Sequence, residues 1–211
     1  MQNSQYWIKP LCINPRLIPT EEYGAAFALA LSLDAIGRYV VRFDADLELF
    51  EQSRQRSRED WRAREWSFLA ARDGAMTLFH FGQFIHEGMR LDGCPTLAQQ
   101  IDSKPMREAR NKFRKTFPNT RIIRHSVAHD GENQASQRYL EEDKFVTNAN
   151  IPELSVTRSK ISISDSLVDD KFTMTYNNSI VQYALNRNSL ITLHSIAIIY
   201  MSSFRNIVIK I

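Results

Sequence analysis

The sequence predicts a mainly α-helical fold: a four-helix-bundle-like core followed by a C-terminal β-hairpin and a final helix. Three features predict it. Apolar residues recur at threes, fours and fives through two long stretches between Thr20 and Arg90. Prolines and glycines mark the ends of those stretches, at Pro19, Gly93, Pro95 and Pro118. Alternation of apolar and polar residues, the period of a half-buried strand, is confined to the chain beyond residue 150.

Pro10, Pro15 and Pro19 break up an irregular lead over residues 1–19. Thr20 then suits an N-cap, and Glu21 and Glu22 place negative charge in the first turn, where the helix dipole favours it. Phe27, Leu31, Ile36, Val40, Phe43, Leu47 and Phe50 form one apolar stripe, predicting a helix to about Phe50. Ser57-Arg-Glu-Asp60 resembles a capping box and starts a second long helix to about Arg90. Its apolar residues are Trp61, Trp66, Leu69, Met76, Phe79, Phe84 and Ile85. A third helical region spans Thr96 to Phe117, broken near Ser103-Lys-Pro105, where proline fits a first turn. Pro118-Asn-Thr120 introduces a short fourth helix with Gly131 as its C-terminal cap. Ile161-Ser-Ile163-Ser alternates weakly. Phe172-Thr-Met174-Thr-Tyr176 and Ile180-Val-Gln-Tyr183, joined by Asn177-Asn178, predict a hairpin. An amphipathic helix from about Ser189 to Phe204 closes the chain. The expected organisation is a lead over 1–19, a helical bundle over 20–150, and a hairpin with a helix over 151–211 packed on the bundle.

Composition narrows the function classes. A 211-residue chain with 43% hydrophobic and 24% charged residues is ordinary for a soluble domain. Cys12 and Cys94 are the only cysteines and neither lies in a CxxC, so neither a disulfide framework nor a zinc knuckle is indicated. The N-terminus lacks the basic and apolar regions of a signal peptide, and no stretch looks apolar enough to span a bilayer, Leu190 to Tyr200 being nearest. A cytoplasmic protein without membrane association is expected. Walker, GxGxxG and GxSxG motifs are absent, which leaves no support for nucleotide triphosphatase, Rossmann or serine-hydrolase chemistry.

The net charge is only +3, but its distribution is uneven. Lys104, Arg107, Arg110, Lys112, Arg114, Lys115 and Arg121 are opposed only by Glu108, the footprint expected of a phosphodiester-binding segment. Arg54, Arg56, Arg58, Arg62 and Arg64, by contrast, are interleaved with Glu51, Glu59, Asp60 and Glu65, as on a solvated helix face. Trp7, Trp61 and Trp66 are too scattered in sequence to predict a stacking platform. His80 and His86 sit among Phe79, Phe81 and Phe84 and read as core histidines.

Directly after the basic run stands Arg124-His125-Ser-Val-Ala-His129. An arginine that cannot lose its charge and a histidine that titrates near neutrality are the groups a metal-free ribonuclease needs. Random placement predicts about one Arg-x4-6-His pair in a chain of this composition, and there are two, Arg124 with His129 and Arg187 with His194. The first is favoured by its neighbours: a polar residue after the arginine, a small one before the histidine, and the basic approach. On an ideal helix the two side chains would lie about 140° apart, so they converge only if Arg124 is near a helix start or reaches across a dimer. His125 and His129, at i and i+4, could with Glu132 bind a metal, but no second ligand cluster supports that.

The motif resembles the Arg-φ-x3-5-His signature of the HEPN superfamily, φ being Asn, Asp or His. The two long helices and shorter helical pair are similar to that fold over residues 20 to 135. The resemblance implies a metal-independent RNA endonuclease of the toxin–antitoxin or abortive-infection kind, without a cofactor. Arg124 and His129 would be catalytic, His125 a supporting group, and Arg110, Lys112, Arg114, Lys115 and Arg121 RNA-binding. It implies a homodimer whose motifs meet across a two-fold cleft, RNA as substrate and an antitoxin as a further partner. A non-catalytic helical interaction module is the alternative.

Overall fold

The apolar spacing that begins after Pro19 becomes one continuous helix, α1 (Tyr23–Arg56), preceded by 3-10 turns at Pro15–Leu17 and Thr20–Glu22. It runs past the expected end at Phe50. α2 follows (Trp61–His86). The computed structural model describes residues 5–86, 91–128, 146–147, 150–151, 154–155, 160–161, 166–176 and 179–209, so the expected helix end near Arg90 lies outside the described residues. Asp60, not Ser57, caps α2: the Arg62 N–H donates to its Oδ1 at 2.8 Å, while the Ser57 hydroxyl donates back to the Arg54 carbonyl.

The break expected near Ser103 separates α3 (Pro95–Ala98) from α4 (Ser103–Thr116). Asp102 caps α4 by accepting from the Lys104 N–H at 2.9 Å, and Pro105 falls in the first turn, where its missing N–H costs nothing. α5 (Thr120–Ala128) follows. Gly131 lies outside the described residues. Two antiparallel pairs of two-residue strands come next: β1 (Val146–Thr147) with β4 (Lys160–Ile161), and β2 (Asn150–Ile151) with β3 (Leu154–Ser155). β5 (Ser166–Val168), β6 (Lys171–Tyr176) and β7 (Ser179–Ala184) form an antiparallel sheet in that order. The predicted hairpin is β6–β7, with Phe172 opposite Tyr183 and Met174 opposite Val181. Asn177-Asn178 lies outside the described residues. β5 was not foreseen, because Leu167 and Val168 are too short an apolar signal. It joins β6 through a tight turn in which Asp169 adopts a left-handed backbone (φ 52°), one of the few residue types that tolerates it. The final helix is α6 (Arg187–Ser202).

Two compact units divide the chain, and neither is continuous in sequence. α1 and α2 each contribute to both. The first unit takes residues 1–45, 80–118 and 188–211. Leu33, Ile36, Val40, Phe43, Phe81, Ile85, Leu97, Phe113, Leu193, Ile196, Tyr200 and Phe204 are buried in it. Gly82 admits the Phe113 ring, since a Cβ there would stand 2.7 Å from it. The buried Glu22 carboxylate accepts from both the Thr96 N–H (3.2 Å) and hydroxyl (2.6 Å), tying the entrance of α1 to α3. The N-terminal lead is anchored rather than loose. Asn14 N–H donates to the Ile207 carbonyl and Ile209 N–H to that of Cys12, flanking an Ile13–Val208 bridge.

The second unit takes residues 46–79 and 119–187. Leu47, Phe50, Leu78, Ile123, Val168, Phe172, Met174, Val181 and Tyr183 are buried in it, together with Ala63, Ser67, Ala70, Ala71 and Ala75 of α2. The Thr77 hydroxyl donates to the buried Asp46 carboxylate at 3.1 Å, and the Tyr183 hydroxyl donates to the Ala71 carbonyl. Burial, with Asp46 and Asp73 nearby, pushes the Tyr183 phenol well above its usual value of 10.

One sequence expectation needs correcting. The helical stretch Thr20–Arg56 is long and apolar enough to cross a membrane by length and composition. Of its most apolar window 39% is buried, and Leu33, Ile36 and Val40 of the run belong to the buried interior.

Candidate anion-binding site on α5

α5 is short and amphipathic, and a sheet positions it. It packs against β6 and β7, and Ile123 is buried. Arg121, Arg124 and His125 stand at i, i+3 and i+4, the spacing that brings helix side chains onto one side. With Ile122 and Phe79 they line an open depression of about 370 Å³. The Arg124 guanidinium carbon sits 5.3 Å from the centroid of the Phe79 ring. Its Nε is buried and makes no hydrogen bond to a described residue.

That combination has a cost and a use. A buried N–H without an acceptor costs about 1–3 kcal/mol, and an aromatic face under a guanidinium returns roughly 0.5–2 kcal/mol. The guanidinium so placed is a group that recognises paired oxygens in a fork geometry. An oxyanion in the depression would meet the Arg121, Arg124 and His125 side chains on one rim.

Of the predicted site residues, the structure therefore brings Arg121, Arg124 and His125 together. His129 and Glu132 lie outside the described residues. The basic run is divided between the units: Arg110, Lys112, Arg114 and Lys115 belong to the first, Arg121 and Arg124 to the second. Within the first, Arg110 Nε donates to the Ile85 carbonyl and Lys112 Nζ to the Ser195 hydroxyl at 2.9 Å, so both cations serve internal hydrogen bonds. The Arg110 charge lowers the Tyr200 phenol, but burial outweighs it and pushes that group up to about 12. Arg114 and Lys115 are exposed in the last turn of α4, where positive charge suits the dipole.

The second arginine–histidine pair has other occupations. Arg187 pairs with Glu51 at 3.0 Å, and His194 packs edge-on to Tyr6 at 5.5 Å. His80 stacks on Tyr39 and His86 meets Phe113 edge-on. Among the described residues no three His, Cys, Asp or Glu side chains gather as a ligand set.

Phe79 is the site residue that sequence reasoning missed. It belongs to the apolar spacing of α2, and nothing local distinguishes it from a core residue. Its role arises from a contact between two distant segments. Comparison with known protein families, curated proteins and solved structures found no match to this chain.

Proposed function

We propose that this chain is a metal-independent RNA endonuclease of the HEPN type, working as a homodimer in toxin or antiphage defence, with an antitoxin as a further partner. The observation that carries the reading is Arg124: a guanidinium held over Phe79, with a buried Nε that has no acceptor among the described residues, in a depression shared with Arg121 and His125. Two guanidinium groups beside an imidazole on one rim suit an anion there, at the arginine of the motif.

The chemistry follows from the groups. The ribose 2′-oxygen attacks phosphorus as its proton passes to a base, and the P–O5′ bond breaks as the leaving oxygen takes a proton from an acid. Arg124 neutralises the non-bridging oxygens, whose charge grows in the transition state. His129 exchanges the proton, and the second protomer's motif supplies the other transfer. His125 orients the phosphate beside Arg124. Purified protein should cut RNA in the presence of EDTA and leave 2′,3′-cyclic phosphate ends. His129→Ala should slow cutting about 10²–10⁴-fold and Arg124→Ala about 10²–10³-fold. Equal rates in folded, dimeric His129→Ala protein would remove the assignment.

A non-catalytic interaction module is the second reading, and one observation favours it. Tyr23, Phe27 and Leu31, at i, i+4 and i+8 of α1, are exposed large apolar side chains. That reading expects no RNA turnover and an unaltered functional assay with Arg124→Ala.

A further inference from the structure

Three of the four large apolar residues in α2's first half are exposed, Phe68 being half-buried. Trp61 is 70%, Leu69 57% and Trp66 46% exposed, while Ala63, Ser67, Ala70, Ala71 and Ala75 take the buried side. At about 100° per residue, Trp61, Leu69, Arg72, Met76 and Phe79 fall within about 80° of one another; Arg62 stands about 20°, Asp73 about 40° and Trp66 about 60° beyond the edge of that strip. The strip is about 27 Å long. It starts at the exposed tryptophans and ends at Phe79, the ring beneath Arg124. All of it lies within one unit.

We propose that this face of α2 is a stacking platform for single-stranded RNA, guiding the strand towards the phosphate site of Arg121 and Arg124. The chemistry of the face selects that occupant. Exposed indoles offer flat surfaces to unpaired bases, which a duplex, its bases already stacked and its edges buried, cannot use. The Arg62 guanidinium lies 5.7 Å from the Trp61 ring, adding positive charge beside the stacking surface. Between residues 54 and 66, Arg54, Arg56, Arg58, Arg62 and Arg64 outnumber Glu59, Asp60 and Glu65. The Asp60 carboxylate is engaged as the cap of α2, and the Arg54 guanidinium likewise donates to the Asp169 carbonyl. Glu65 is exposed on the strip itself and favours strand passage over the flanking arginines rather than along its own side chain. Continuity with an anion-seeking pocket at the far end distinguishes the face from one made for a protein. The choice of RNA rests on the proposed nuclease reading; the stacking mode does not.

The test measures binding of a short oligouridylate, single-stranded or in a duplex with oligoadenylate, to full-length His129→Ala protein. Trp61→Ala and Trp66→Ala should each weaken single-strand binding about tenfold and leave duplex binding unaltered. Trp61→Phe should restore most of the loss. In a Trp7→Phe background the remaining tryptophan fluorescence should be quenched by the single strand. Unaltered single-strand affinity in the natively folded Trp61→Ala/Trp66→Ala variant overturns the proposal. So does that variant breaking up a self-associated protein in sedimentation while RNA affinity persists, since the face would then be a protein interface. If wild-type protein never cuts RNA yet shows the tryptophan dependence, only the nuclease reading fails. If it cuts but ignores the tryptophan changes, only the platform fails.

Discussion

α1 and α2 carry the same kind of apolar spacing and use it in opposite ways. From Leu33 to Phe50, α1 turns most of its large residues inward: Leu33, Ile36, Val40, Phe43 and Leu47 are fully buried, while Leu49 is exposed. From Trp61 to Ala75, α2 buries alanines and turns tryptophan and leucine to solvent. The difference shows that a helical period does not by itself fix which side is inside. For α2 the inner side is chosen by close approach. The Tyr183 hydroxyl reaches the carbonyl of Ala71, a backbone group that larger neighbouring side chains would cover.

The contrast can be broken by substitution. The largest effect is expected at Phe43→Ala, which empties a fully buried site of α1 and should cost about 3–5 kcal/mol by denaturant unfolding. Next is Ala71→Leu, which overfills the inner side of α2 and should cost about 1–3 kcal/mol. Trp61→Ala, although it removes the larger side chain, should change stability by no more than about 0.5 kcal/mol. If Trp61→Ala costs as much as Phe43→Ala, the two faces are not different in kind.

The smallest effect concerns pH and the first unit. Burial lowers the His194 imidazole below its usual 6.5, so the folded protein binds fewer protons there than the unfolded chain does. The associated stability is present above about pH 6.5 and drains as pH falls through the imidazole's range. Urea midpoints at about pH 7.5 and pH 5 should differ more for the native protein than for His194→Phe. An equal difference in both proteins would place the pH dependence elsewhere.

Much of the fold was legible because its signals are local. Pro19, Pro105 and Pro118 marked helix boundaries, and the alternation at Phe172–Tyr176 gave β6–β7. Capping was legible in type but misplaced in position, since Asp60 lies nearer the N–H groups of α2 than Ser57 does. At the site, Arg121, Arg124 and His125 were legible from composition and spacing. The basic run was legible as a run, yet Arg110 and Lys112 turned inward to Ile85 and Ser195, partners no local pattern reveals.

The helical class, the hairpin and the seating of Arg121, Arg124 and His125 on one short helix follow from local signals, because each depends on neighbours within a few residues. Long-range packing selected the small side of α2 for burial, divided the basic segment between two units, and brought Phe79 under Arg124. Those outcomes depend on which surfaces approach closely enough to exclude water, and a choice between distant surfaces leaves no trace in local spacing.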